Sequence, residues 1–198
     1  LIVASGSGHT DTARFLLDRG ANINQQDYEG KTALIFASNS GDLDMVKLLL
    51  ENPRNANINQ QDNEGKTALI VASGSGHLDT ARFLLDKGAT LNQQDNEGKT
   101  ALIIASNCGE LDMVKLLLEN PRNANINQQD NEGKTALIVA SGSGHLDTAR
   151  FLLDEGANIQ QQDNEGKTAL IVASGSGHTD TVRFLLDRGA NINQQDNE

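Results

Sequence analysis

The hexapeptide GKTALI starts at Gly30, Gly65, Gly98, Gly133 and Gly166, at spacings of 35, 33, 35 and 33 residues. A repeat of that period cannot bury its apolar face alone, so it must stack on its neighbours. The 198-residue chain is therefore read as one continuous array rather than one or two globules. Six copies are expected, at approximately 1–26, 27–61, 62–94, 95–129, 130–162 and 163–195. Leu1 aligns with Leu34, so the first copy starts inside its first helix.

Each copy reads as two helices and a polar turn. Thr32 can cap a helix starting at Ala33, which carries Leu34, Ile35 and Ala37 and ends near Gly41. A second helix begins at about Leu43, with Met45, Val46, Leu48, Leu49 and Leu50 as its apolar stripe. Asn, Gln, Asp and Gly then make an exposed turn. The copies are of two kinds. One has SGSGH and a glycine stop, as at Thr80, Ala81, Phe83 and Gly88; the other has SNxG, Met113, Val114 and Leu116, then the insertion ENPRNAN. Pro53 and Pro121 in the insertion should stop the second helix by Asn52 and Asn120. Alternation makes a pair of about 68 residues the real unit, in which volume lost at Ala81 is returned at Val114. At the last junction two copies of the first kind meet, and Val182 stands where Ala13, Ala81 and Ala149 stand elsewhere.

Asp62, Gly65, Thr67, Leu69, Ala72, Gly76, His77, Leu84, Leu85, Gly88, Ala89 and Asn92 fall on the positions of the ankyrin pattern, and the chain resembles the ankyrin-repeat family along its whole length. The resemblance implies an all-α solenoid of stacked helix-turn-helix units with short β-turn fingers. The family's T-P-L-H is T-A-L-I here. Ala is a good first helical residue, but the family's histidine, which ties neighbouring repeats, is replaced by Ile35, Ile70, Ile103, Ile138 and Ile171. Apolar packing is expected to take over that tie.

Chemistry finds little support. Aromatic residues are 3% of the chain and Trp is absent, which disfavours an aromatic-lined cofactor pocket. No cofactor, metal or catalytic residue is assigned. His9, His77, His145 and His178 each follow a glycine before the second helix and are expected to bond locally. Repeats roughly 8–10 Å apart cannot bring them to one metal, whose ligand bonds are about 2 Å. SGSG and GKT lack the order of a phosphate loop. Gly74 and Gly142 are read as loosening the helix end or narrowing the inner surface. Asp62 and Glu64 recur on turn tips and are expected to be solvated, partly neutralised by Lys66. Glu51 with Lys47, and Asp18 with Arg14, are expected surface pairs worth a few tenths of a kcal/mol. Cys108, the single cysteine, replaces a serine and is expected to be half-buried. One unpaired thiol suits a reducing compartment, which slightly favours the cytoplasm.

The formal charge of −11 disfavours nucleic acid and anionic membranes as partners. No stretch reaches the about 18 apolar residues of a membrane span. The resemblance implies a protein partner held by the turn tips and the exposed face of the first helix, the concave face of the family. The matching positions include Asn63, Glu64, Lys66, Gly74, Ser75, Gln94, Asn96, Lys99, Asn131 and Lys134. These are nearly invariant between copies. Tyr28 alone breaks the series Asn63, Asn96, Asn131, Asn164 and Asn197, and it is the candidate anchor. The alternative is a structural array or fibre segment. Leu1, Ile2 and Val3 at one end, and Phe184, Leu185 and Leu186 in the last copy, are not replaced by polar caps, so head-to-tail self-association is an expectation. So is membership of a longer array.

Overall fold

A computed structural model describes residues 1–122 and 124–197. The described residues form helices and turns, with no strand among them. The chain comprises two compact units, Leu1–Asn96 and Glu97–Glu198.

In the first unit the first-of-pair helices are α1 (Ile2–Gly6), α3 (Ala33–Asn39) and α5 (Ala68–Gly74); the second-of-pair helices are α2 (Thr10–Asp18), α4 (Leu43–Leu50) and α6 (Leu78–Asp86). α1 packs on α3 and α3 on α5, and each also packs on its own partner. In the second unit α7 (Ala101–Cys108), α9 (Ala136–Gly142) and α11 (Ala169–Gly175) pack in the same way with α8 (Leu111–Leu118), α10 (Leu146–Asp154) and α12 (Thr179–Asp187). The all-helical stacked architecture is the one expected.

Local chemistry explains the boundaries. Thr32, Thr67, Thr100, Thr135 and Thr168 each accept a hydrogen bond from the backbone N–H three residues on, at 3.3–3.5 Å. That satisfies one of the orphan donors at a helix start. Asp42 caps α4 through Met45 N–H at 2.9 Å. α4 and α8 stop at Leu50 and Leu118, ahead of the prolines. In the insertion Asn55 takes φ +44°, a left-handed conformation Asn tolerates better than most residues. Arg54 reaches back to donate Nη1 to the carbonyl of Leu17 at 2.9 Å. The insertion thus supplies a donor to the C-terminal end of the preceding copy's α2, a role the sequence did not reveal.

The core lies between the helix pairs. Leu34, Ile35, Met45, Leu49, Leu69, Ile70 and Leu84 are buried in the first unit; Leu102, Ile103, Met113, Leu117, Leu137, Ile138 and Leu152 are buried in the second. The isoleucines of TALI are buried as anticipated, except Ile171, which is half-buried. Polar ties between copies nevertheless persist, and the histidines supply some of them. His77 Nε2 donates to the carbonyl of Asn39 at 3.0 Å, His145 to that of Asn107 at 3.1 Å, and His178 to that of Gly142 at 3.0 Å. The expected local role is corrected: each ring reaches the end of the preceding copy's first helix. Gly41, with φ +71°, makes room, because a Cβ there would sit 2.5 Å from His77 Nδ1.

Three further expectations are corrected. Glu51 pairs with Lys87 of the next copy at 3.1 Å, not with Lys47. Cys108 is exposed, as the last residue of α7, with partial desolvation and then Glu110 pushing its thiol pKa up. Asp62 is buried rather than solvated.

Candidate functional site

The turns are β-turn fingers organised by their own aspartate. In the finger of the third copy, Asp62 Oδ1 accepts from the N–H groups of Glu64 at 3.0 Å and Lys66 at 2.8 Å. Gly65 N–H bonds to Asp62 O, and Asp62 N–H to Lys66 O, which closes the finger. Asp27, Asp130 and Asp163 make the same pair of side-chain bonds in their fingers. Asp62, Asp95, Asp130 and Asp163 are buried, whereas Asp27, in the first finger, is half-buried.

Fingers are joined by the conserved-looking amides. Asn63 Nδ2 donates to Tyr28 O at 2.9 Å, and Asn63 N–H donates to Glu29 O at 2.9 Å. Asn96 bonds to Asn63 O and Glu64 O in the same way. In the second unit Asn131 N–H donates to Glu97 O, and Asn164 Nδ2 to Asn131 O at 2.9 Å. Gln61 Nε2 bridges Gly65 O and Gln94 O at 2.5 and 3.0 Å, and Gln129 bridges Gly133 O and Gln162 O. A glycine is needed where these meet: a Cβ on Gly65 would lie 2.5 Å from Asn96 Oδ1.

The charged finger residues pair within their own finger. Lys66 Nζ meets Glu64 Oε2 at 2.5 Å, as Lys31 meets Glu29 and Lys134 meets Glu132; Lys99 pairs with Glu97. The hydrogen bond to Lys66 holds Glu64 below the ordinary carboxylate range, and the reciprocal bond raises Lys66. The inferred partner-binding residues therefore have structural neighbours. Asn63, Asn96 and Asn131 join fingers, Gln94 lends its carbonyl to Gln61, and Glu64, Lys66, Lys99 and Lys134 form ion pairs. Tyr28 differs. Its backbone carbonyl receives Asn63, while its residue is fully exposed.

Sequence reasoning missed two related cavities. In the first unit Lys31, Ile35, Phe36, Asn39, Asp62, Glu64, Lys66 and Val71 enclose about 140 Å³ between fingers and first helices. In the second unit Lys99, Ile103, Ile104, Asn107, Asp130, Glu132, Lys134 and Val139 enclose about 140 Å³. Every lining residue of one lies 68 positions from its counterpart, and the residue types differ only where Phe36 becomes Ile104. The double period was the available signal. Phe36, an aromatic at a position that is aliphatic in the other first helices, was a second. A larger cleft of about 580 Å³ lies between α2 and α4, lined by Arg14, Asp18, Asp44, Lys47 and Glu51 among others. Its charges are of both signs, and none of its side chains is a buried group without a partner. Among the described residues no cluster of three His, Cys, Asp or Glu could hold a metal, and no helix is long and apolar enough to cross a membrane.

The stacked helix pairs and bonded fingers define a repeat protein of the helix-turn-helix class. Residues 1–62, 54–130 and 122–196 match the family described as ankyrin repeats (3 copies), and the chain belongs to the ankyrin-repeat family. It is also similar to the mouse protein described as "Protein fem-1 homolog A-like", with 42% identity over 50 residues. That stretch is 25% of this chain and 8% of the mouse protein. Ankyrin repeats generally serve as protein-interaction scaffolds and are typically non-catalytic.

Proposed function

We propose that the chain is a non-catalytic scaffold, its copies forming one array, which holds a protein partner against its fingers and the exposed side of its first helices, the concave face of the family. One observation carries the reading. Where Asn63, Asn96, Asn164 and Asn197 turn their amides to the preceding finger, the second copy presents Tyr28 with 103% relative exposure. Interfaces are enriched in tyrosine anchors. Asn63, Glu64, Lys66, Gln94, Asn96, Lys99, Asn131 and Lys134 supply the surrounding polar rim. Binders selected from a random peptide library on the whole chain, then mapped by NMR, test this. Selected peptides should shift finger and first-helix signals, Tyr28 among them. Shifts confined to α2, α4, α6, α8, α10 and α12 would reject it.

A second reading is a structural array built by end-to-end stacking of copies. The same finger-to-finger asparagine bond recurs in both units, so a copy from another molecule could make it without any new chemistry. Light scattering across a concentration series distinguishes the two: growth in mass supports the array, and constant monomer mass rejects it.

A further inference from the structure

The junction between the fifth and sixth copies, inside the second unit, has two distinct halves. Val172 and His178 of the sixth copy lie against the end of α9. A Cβ on Gly142 would sit 2.6 Å from Val172 Cγ1, and one on Gly144 would sit 2.6 Å from His178 Cε1. His178 Nε2 donates to Gly142 O at 3.0 Å. Arg150 of the fifth copy stacks on Phe184 of the sixth, 4.5 Å from its ring centre, and Arg188 pairs with Asp154 at 2.7 Å. The receiving half is therefore Gly142, Gly144, Arg150 and Asp154; the docking half is Val172, His178, Phe184 and Arg188.

The sixth copy carries the receiving half again. Gly175 and Gly177 stand in the places of Gly142 and Gly144, with Arg183 and Asp187 in those of Arg150 and Asp154. A Cβ on either glycine meets nothing within 4 Å. The first copy carries the docking half again. Residues 1–27 match residues 170–196 at every position but one, Ala13 for Val182. Val3, His9, Phe15 and Arg19 thus stand in the places of Val172, His178, Phe184 and Arg188. Val3 is 81% exposed and Phe15 56%, against 8% for Phe184 in the formed junction. Covering two such apolar side chains is favourable.

We propose that the face formed by α11 and α12 docks a second copy of this chain, whose α1 and α2 seat there as α11 and α12 seat on α9 and α10. Val3 of the docking molecule lies against Gly175, and its His9 donates Nε2 to Gly175 O. Its Phe15 lies beneath Arg183, and its Arg19 pairs with Asp187. The inference rests on the second reading of function, end-to-end stacking, and assigns the residues of that contact. The two faces differ, so each docked molecule still offers one of each and the contact can repeat.

Light scattering on the 198-residue chain and two variants tests it. Val3→Glu spoils the docking face and Gly175→Glu the receiving face, both at exposed positions. The parent should grow in mass with concentration. Each variant should need at least about tenfold more protein for the same growth, because the contact would bury an unpaired charge. An equimolar mixture of the two should form dimers and stop there, since only one good face of each kind remains. Should a thermal melt show either variant unfolded, Phe15→Glu and Gly175→Ala replace the pair. Gly175→Ala should weaken association at least about fivefold through overpacking against Val3. Folded variants that grow like the parent, or a mixture that stays monomeric or passes beyond dimers, would overturn the inference. Growth of the parent in those cases leaves end-to-end stacking standing through another contact, whereas a parent of constant monomer mass rejects both.

Discussion

The side-chain amide of Asn63 donates to the backbone carbonyl of Tyr28 at 2.9 Å, across 35 residues of sequence. A residue that looked like a surface contact is therefore a rung between two fingers. Tyr28 contributes to that rung only through its backbone, so its ring is not needed for the stack. This separates the residues that build the face from the residue that marks it.

The rung has a measurable size. Asn63→Ala should cost about 0.5–1.5 kcal/mol in a urea melt, the net value of one hydrogen bond. Lys66→Ala, in an exposed ion pair, should cost less than about 0.5 kcal/mol. Leu84→Ala and Leu117→Ala, both fully buried, should cost about 2–5 kcal/mol each. Equal losses for the leucines and the lysine would contradict a fold held by buried contacts between helices.

Glycines at the ends of first helices are not equivalent. A Cβ on Gly142 would lie 2.6 Å from Val172 Cγ1, whereas a Cβ on Gly175 meets nothing within 4 Å. Neither has the positive φ that would forbid alanine. Gly175→Ala should stabilise by about 0.4–1 kcal/mol, mainly by restricting the unfolded chain. Gly142→Ala should be neutral or destabilising, because Val172 must move. A differential thermal melt of the two variants reads the contrast directly. Narrowing of the inner surface, one of the two readings of Gly142 from sequence, thus has a concrete cause in the next copy's valine.

The finger ion pairs make stability depend on pH at both extremes. Glu64 and Glu132 titrate below their ordinary 4.5 in the folded chain, chiefly through hydrogen bonds from Lys66 and Lys134. Their contribution is present above 4.5 and is lost as pH falls through the lower folded value. Lys31, Lys66 and Lys134 titrate above their ordinary 10.5, chiefly through their bonds to glutamate. Their contribution is complete below 10.5 and is lost as pH rises through the higher folded value. Urea midpoints measured against pH should fall at both ends, and Glu64→Gln should flatten the change at each. A variant profile superimposable on that of the parent would refute the pairing.

Features fixed within one copy were legible from sequence. The threonine caps, the start of α4 at Leu43 and its end before Pro53 depend on residues a few positions apart. Features made between copies were not. Spacing pointed Glu51 to Lys47 four residues away, but the neighbouring copy offers Lys87. Asp62 looked solvated because its letters sit among turn residues; Asp27, with the same bonds inside its own finger but no finger before it, is only half-buried, so the burial of Asp62 needs the preceding finger. His77 looked local because its partner, the carbonyl of Asn39, belongs to the preceding copy. Cys108 was placed half inside, yet the serines at its position in other copies, Ser40, Ser75 and Ser143, are exposed as well, so the position itself faces outward. The cavities escaped for the same reason as the ties: their walls come from successive copies, and only the 68-residue spacing hinted at them.

The claim that the asparagine row builds the face while Tyr28 gives it a binding anchor is tested most directly with one selected peptide and two substitutions. Titration calorimetry and a urea melt are run on Tyr28→Asn and Asn63→Ala beside the parent chain. Tyr28→Asn should weaken the peptide at least about tenfold, as loss of an anchor does, with an unchanged melt. Asn63→Ala should lower the melt. Unchanged affinity in Tyr28→Asn, or a melt lowered by that substitution and not by Asn63→Ala, would contradict the account.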